Sequence, residues 1–121
     1  LLNLGDTMKC LLLLLLVCIP AFAGLGNHDY ETVAASQSDQ SLGPVGGAGD
    51  VLERLIIVPA TTGAGNVSIK DGSGSAISVF VTGTLSNLTP IEIPLSAIST
   101  SGAWKVTTGA NVSVIAVGQF R

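Results

Sequence analysis

Cysteine is scarce in this chain of 121 residues, where it occurs only at Cys10 and Cys18, inside one apolar run near the start. The sequence after that run therefore offers no thiol for a disulfide, a zinc site or a nucleophile. Without such staples, a domain of this size relies on its hydrophobic core or on association with other chains. The apolar content of 47 % is enough to build a core.

Charge is also sparse, at 11 % of residues with a net charge of −3. The bases beyond the N-terminal apolar run stand far apart, at Arg54, Lys70, Lys105 and Arg121. Nucleic-acid binding needs clustered Lys and Arg to neutralise phosphates, so no nucleic-acid partner is predicted. Ser, Thr and Gly take the place of charge, which suits a surface packed against copies of itself or a larger particle.

Side chains for catalysis are few. The single histidine, His28, lies in "NHDYE" beside Asp29 and Glu31, where a metal site is conceivable but a solvated tail is expected. No G-x-S-x-G elbow supports a Ser-His-Asp triad, and no glycine-rich phosphate loop is present. Glycoside cleavage would need two facing carboxylates from Asp50, Glu53, Asp71 and Glu92. We expect no enzyme activity, no cofactor and no metal.

The N-terminal region has the pattern of a secretory signal peptide over residues 8–23. Lys9 precedes the apolar run of residues 11–19, and the A-x-A site of Ala21 and Ala23 predicts cleavage before Gly24. The run is too short to span a bilayer, so a membrane is met only in transit. Residues 1–7 precede Met8 and are interpreted as an over-extended translation.

The remaining sequence predicts one small all-β domain. Residues 24–50 are predicted to be a flexible arm and Gly-rich linker with one strand in "YETVAASQS", and residues 51–121 to be the core. Turn signals every 8–12 residues indicate seven to eight short antiparallel strands in a β-sandwich or jelly-roll-like domain, preceded by the signal-peptide-like helix. For residues 50–56 a helix capped by Asp50 is the alternative, which the β-branched "IIVP" disfavours.

Alternation assigns the strand faces. In "VLERLIIVP", Leu55 and Ile57 share one face, whereas Leu52 falls on the other. Residues 66–70 and 76–82 are predicted to form a hairpin around Asp71 and Gly72, with one face made of Ile77, Val79 and Val81. In "IEIPLSAI", Pro94 restricts the strand to a sheet edge or a bulge.

One phrase occurs twice, as "TTGAGNVSI" at residues 61–69 and "TTGANVSV" at residues 107–114. We interpret the two copies as equivalent hairpin corners. Gly63 and Gly109 would supply the positive φ of a tight turn, and an asparagine would start each following strand.

Three aromatic residues are candidates for contact with a partner, namely Trp104, Phe120 and Tyr30. Trp104 beside Lys105 suits ligand stacking, including a surface glycan, although a core or interface position is expected for a lone tryptophan. An exposed Trp104 in a groove would favour an exported carbohydrate- or surface-binding module, and a buried Trp104 would count against it.

Residues 30–121 resemble small structural proteins of tailed bacteriophages and prophages. The resemblance rests on "YETVAASQ", on the G-D-x-L of residues 49–52 with "IIVPATT", on "KDGSGSAI", and on "SGAWKVTTGANVSVIAVG". It implies a non-enzymatic virion component, on the capsid surface or the tail, that works in many copies with itself or with other virion proteins. Such proteins need no signal peptide, so either a host exports a phage-derived domain or the leader is not used.

Overall fold

Eight β-strands make up the computed structural model, which describes residues 28–82 and 88–121. The strands are β1 (Asp29–Val33), β2 (Gln40–Ser41), β3 (Val51–Pro59), β4 (Val67–Asp71), β5 (Ile77–Phe80), β6 (Ile91–Ile98), β7 (Trp104–Thr108) and β8 (Val112–Gln119). The predicted all-β class and strand number are confirmed. In these two ranges no helix could cross a membrane.

Several expectations lie outside the described residues. They are the over-extended start at residues 1–7 and the signal peptide at residues 8–23 with its cleavage site at Ala21, Ala23 and Gly24.

The strands form two four-stranded antiparallel sheets. Sheet 1 has the order β1-β8-β3-β6 and sheet 2 the order β2-β7-β4-β5. Short corners at residues 60–66 and 109–111 connect β3 to β4 and β7 to β8. Corners this short keep the connected strands adjacent, so β6 of sheet 1 and β5 of sheet 2 lie at the same end. Buried residues of both sheets form one hydrophobic cluster.

Alternation along β4 and β8 builds the centre of this cluster. Val67 and Ile69 of β4 are buried while Ser68 and Lys70 between them are partly exposed. In β8 the buried residues are Val112, Val114, Ala116 and Gly118. Period-2 alternation in "NVSIK" and "NVSVIAVG" predicts these same faces, and the structure confirms them.

Strand β3 departs from strict alternation. Its register with both neighbours shifts between Leu52 and Arg54, which places a β-bulge there. The extra residue moves Leu52 to the core face, where it is fully buried together with Leu55 and Ile57. The assignment of Leu52 to the opposite face was wrong for this reason, whereas the choice of strand over helix is confirmed.

The predicted β4–β5 hairpin is present, but β5 presents its side chains differently. Register shifts between the pairs Val67–Phe80 and Ser68–Ser78, so Val79 is an extra residue. Val79 and Phe80 both pack against the core. Ile77 is 53 % exposed at the sheet edge, but it lies opposite buried Ile69 and so shares the core face with Val79, as predicted. Val81 comes after the bulge and is 67 % exposed, so its predicted place on this face was wrong.

Residues 28–50 are hydrogen-bonded into the domain instead of preceding it as an arm. Val33 and Leu42 are fully buried, and the Leu42 N–H donates to the Trp104 carbonyl at 2.8 Å. The loop around Gly49 is joined to the residue that follows β6, since the Gly49 N–H donates to Ser99 O at 2.8 Å. The buried side chains of Val33 and Leu42 belong to the core, so this segment is part of the domain.

The two copies of the repeated phrase lie side by side. Gly65 N–H donates to Ala110 O at 2.7 Å, and Gly109 N–H donates to Asn66 O at 2.8 Å. Each copy carries the chain from one sheet to the other, so the prediction of hairpin corners was wrong. Neither Gly63 nor Gly109 has a positive φ; Asn111 does, at 59°. Gly109 is needed because a Cβ there would stand 2.7 Å from Gly65 Cα.

Candidate interaction surface

The carboxylates considered for catalysis do not converge, because each has a different partner. The pairs are Glu53 with His28 at 2.6 Å, Glu92 with Arg54 at 3.5 Å, Asp71 with Thr100 and Ser101, and Asp50 with Gly47 and Arg121. Within the described residues, no three His, Cys, Asp or Glu side chains are placed to hold a metal ion. Each of these carboxylates is thus engaged by a cation, a hydroxyl or a backbone N–H group.

Asp71 fastens the β4–β5 turn to the loop before β7. Its carboxylate accepts hydrogen bonds from the Thr100 N–H at 2.9 Å, the Thr100 hydroxyl at 2.7 Å and the Ser101 N–H at 3.0 Å. The Ser101 backbone donor and then the Thr100 donors hold the pKa of this carboxyl below its usual value. Gly72 follows with φ at +53°, as its predicted turn position requires.

A second polar cluster joins Asp39 to strands β4 and β7. Lys70 Nζ donates to Asp39 Oδ2 at 2.8 Å, and the Thr107 hydroxyl donates to Oδ1 at 3.1 Å. The Lys70 hydrogen bond, and then that of Thr107, lowers the pKa of Asp39. Both clusters connect loops to strands.

Trp104 lies in the core, with only 5 % of its surface exposed. Its indole N–H donates to the Asp50 carbonyl at 3.0 Å, which satisfies the polar end of the ring. Asp50 is itself buried, and its Oδ2 accepts from the Gly47 N–H at 3.0 Å. This placement agrees with the core position expected for a lone tryptophan and leaves no ring face for a glycan.

The other two contact candidates are placed differently. Phe120 is partly buried and packs against the core, with its ring beside Gly118. Tyr30 is 74 % exposed and pairs with Val117 on β8. Tyr30 is therefore the only one of the three predicted candidates that presents a large surface to solvent.

A shallow groove of about 640 Å³ runs beside β1 and the ends of β3 and β8. It is lined by Thr32, Val33, Ala34, Gln37, Gln40, Val58, Ser113, Val114 and Ile115. Its polar side chains are the amides of Gln37 and Gln40 and the hydroxyls of Thr32 and Ser113, so its lining contains no charged group.

Exposed apolar side chains gather at one end of the two sheets. We name this end the open flank; it consists of β5 and β6 together with Val81 and Leu88. Seven large apolar side chains are exposed among the described residues, and five lie here: Ile77, Val81, Leu88, Ile91 and Ile98. Ile91 pairs with buried Ile57, yet it is 39 % exposed, because β6 is the last strand of sheet 1 among the residues that the structure describes.

The sequence did not predict that Ile77 and Val81 are exposed, because period-2 alternation placed both on one face with Val79. One feature of the sequence does mark this region. From Gly72 to Ile91, the chain contains no charged residue.

Comparison with known proteins does not assign the chain to a family. No protein-family model matches the chain, and no curated protein matches it. Among solved structures, the chain is similar to a virus-like particle of the extra small virus of the giant freshwater prawn Macrobrachium rosenbergii. That match has 12 % identity and a TM-score of 0.32, and it covers 79 % of this chain and 80 % of the other. A likeness this low establishes neither a shared fold nor a shared function.

Proposed function

We propose that this chain is a non-enzymatic structural protein of phage origin, a virion component that associates with copies of itself or with other virion proteins. The observation that carries the proposal is the open flank, where five of the seven exposed large apolar side chains lie. Gathered apolar side chains on a surface mark sites of protein association. In this proposal the two sheets stack as a β-sandwich whose flank is covered in the assembly.

Two features of the sequence support the proposal. The chain has only 11 % charged residues, and a charge-poor surface favours association over a free monomeric state. The resemblance of residues 30–121 to structural proteins of tailed phages supports a place on the capsid surface or the tail. The protein would then be located in the virion, or in the periplasm or medium if the leader at residues 8–23 is used.

An exported carbohydrate- or surface-binding module is the alternative function. That function would use an exposed aromatic platform, and the burial of Trp104 removes the side chain best suited to it. An enzyme is disfavoured because Asp50, Glu53, Asp71 and Glu92 are occupied by separate partners.

Mass spectrometry of fractions from the native source tests the proposal. We expect the tryptic peptides 55–70 and 106–121, bounded by Arg54, Lys70, Lys105 and Arg121, in gradient-purified particles at many copies per particle. The N-terminal peptide is measured in the same fractions. Recovery only from medium or envelope, as a monomer beginning at Gly24, would contradict a virion role and favour the exported module.

A further inference from the structure

We propose that two copies of this chain associate through β5, with the free edge of one β5 paired antiparallel to the β5 edge of the other. This inference rests on the proposed function, because it names the surface and the partner for self-association. It is carried by a comparison of the four sheet edges, by the charge-free sequence around β5, and by the exposed apolar side chains beside it.

Three of the four edges have features that discourage strand addition. β1 carries the acidic residues Asp29 and Glu31. β6 contains Pro94, and Ser96 has a positive φ of 49°, so its backbone cannot continue a regular ladder. β2 consists of Gln40 and Ser41 only, which is too short to template a partner. Charge, proline, bulges and short length are the usual protections of an exposed edge.

The β5 edge has neither charge nor proline. Its sequence is ISVF, and on one side only it pairs with β4. The backbone groups on its other side therefore lack a strand partner among the described residues. Its protection is limited to its length of four residues and to the bulge at Val79, which turns Val79 and Phe80 toward the core and leaves Ile77 and Ser78 in register with β4. An edge with unpaired N–H and C=O groups and with neither charge nor proline is a template for another strand.

Apolar side chains next to this edge stay exposed in the single chain. Ile77 is 53 % exposed although its cross-strand partner Ile69 is buried. On β6, the edge strand of sheet 1 at the same end, Ile91 is also exposed, whereas its partner Ile57 is fully buried. A strand added beside β5 would cover Ile77 and would extend the core face of sheet 2 past the open flank.

The distribution of charge along the chain favours a second copy of the chain as the partner of β5. The chain has a net charge of −3, so two copies repel each other over most approaches. The stretch from Gly72 to Ile91 carries no charge, and two copies that meet here bring no like charges together. A strongly basic or acidic partner would find no complementary group on this stretch. A two-fold axis then makes the contact self-complementary and joins two four-stranded sheets into one.

Sedimentation equilibrium of the purified protein, over a wide range of concentration, tests the inference. Ile77→Lys and Val81→Lys place a charge at exposed positions on this edge, so the fold is retained and is checked by circular dichroism. Val45→Lys is the matched control, since Val45 is 85 % exposed in the loop before β3. We expect a wild-type dimer, a dissociation constant raised about tenfold or more by each β5 variant, and an unchanged dimer in the control.

Three results would overturn the inference. They are a monomeric wild type, a dimer that persists unchanged in both β5 variants, and a β5 edge that binds only a different virion protein. The experiments distinguish failure of the β5 contact from failure of the proposed structural function. Particles that contain the protein, together with a dimer insensitive to Ile77→Lys and Val81→Lys, would retain the structural function and reject β5 as the surface.

Discussion

Asp71 is a residue whose position in a turn accounts for only part of its role. The Asp71-Gly72 pair forms the β4–β5 turn, and the carboxylate also accepts hydrogen bonds from Thr100 and Ser101, about thirty residues along the chain. One side chain thereby connects the turn of sheet 2 to the segment that follows β6 of sheet 1.

Asp71→Asn tests this connection through its pH dependence. The pKa of Asp71 is lowered in the folded protein from an ordinary value of 3.8. Its stabilisation is therefore fully present above about 3.8 and is lost as the pH falls through the lower folded pKa. We expect urea unfolding at neutral pH to show a less stable variant, and the difference from wild type to shrink in acid.

Asp29→Asn is the matched control, since it removes an exposed carboxylate from β1. The control should retain the difference between neutral and acid stability that Asp71 provides. Equal neutral-to-acid differences in wild type and Asp71→Asn would show that the carboxylate contributes nothing beyond the turn.

At the scale of elements, the two inter-sheet corners depend on a close approach of backbones. The corner at residues 60–66 contacts the corner at 109–111 through Gly65 and Gly109. A side chain at either glycine would separate the hydrogen-bonded segments and disturb β3 against β8 and β4 against β7.

Gly109→Ala and its matched control Gly63→Ala test whether this close approach of the two backbones requires glycine. An alanine Cβ at position 109 would stand 2.7 Å from Gly65 Cα and 2.9 Å from Asn66 N, so we expect a loss of roughly 1–3 kcal/mol. At position 63 the nearest atom is 3.8 Å away, and we expect a change within about 0.5 kcal/mol or a small gain.

Chemical denaturation of both variants measures the two effects. Similar losses at the two positions would indicate that the copies of the phrase act as equivalent turns, as sequence analysis assumed.

At the scale of the whole molecule, order should decrease from the centre of each sheet toward the open flank. β3 and β8 have partners on both sides in sheet 1, as do β4 and β7 in sheet 2, whereas β5 has one. Local opening is easiest where backbone hydrogen bonds and buried contacts are fewest.

Hydrogen exchange of the dilute protein, or of Ile77→Lys, should therefore show the slowest amides in β3, β8, β4 and β7 and faster amides in β5. β5 amides as slow as those of β4 in a monomeric sample would mean that the described fold underestimates the protection of this edge.

The sequence by itself determined the fold class, the strand positions and the turn at Asp71 and Gly72. Period-2 alternation and turn residues are local signals, and they specify a strand and its two faces wherever the ladder is regular. They placed β4 and β8 correctly, and they placed Pro94 on an edge strand, as the order of sheet 1 confirms. The absence of charge from Gly72 to Ile91 was likewise visible in the sequence.

Only the tertiary structure decided the rest, because it depends on which strands become neighbours. Bulges move Leu52 into the core and expose Val81, and no local pattern announces an extra residue in a ladder. The need for Gly109 comes from Gly65, a partner distant in the chain. Whether Trp104 is core or surface, and which strand remains an unprotected edge, follow from the order of the two sheets.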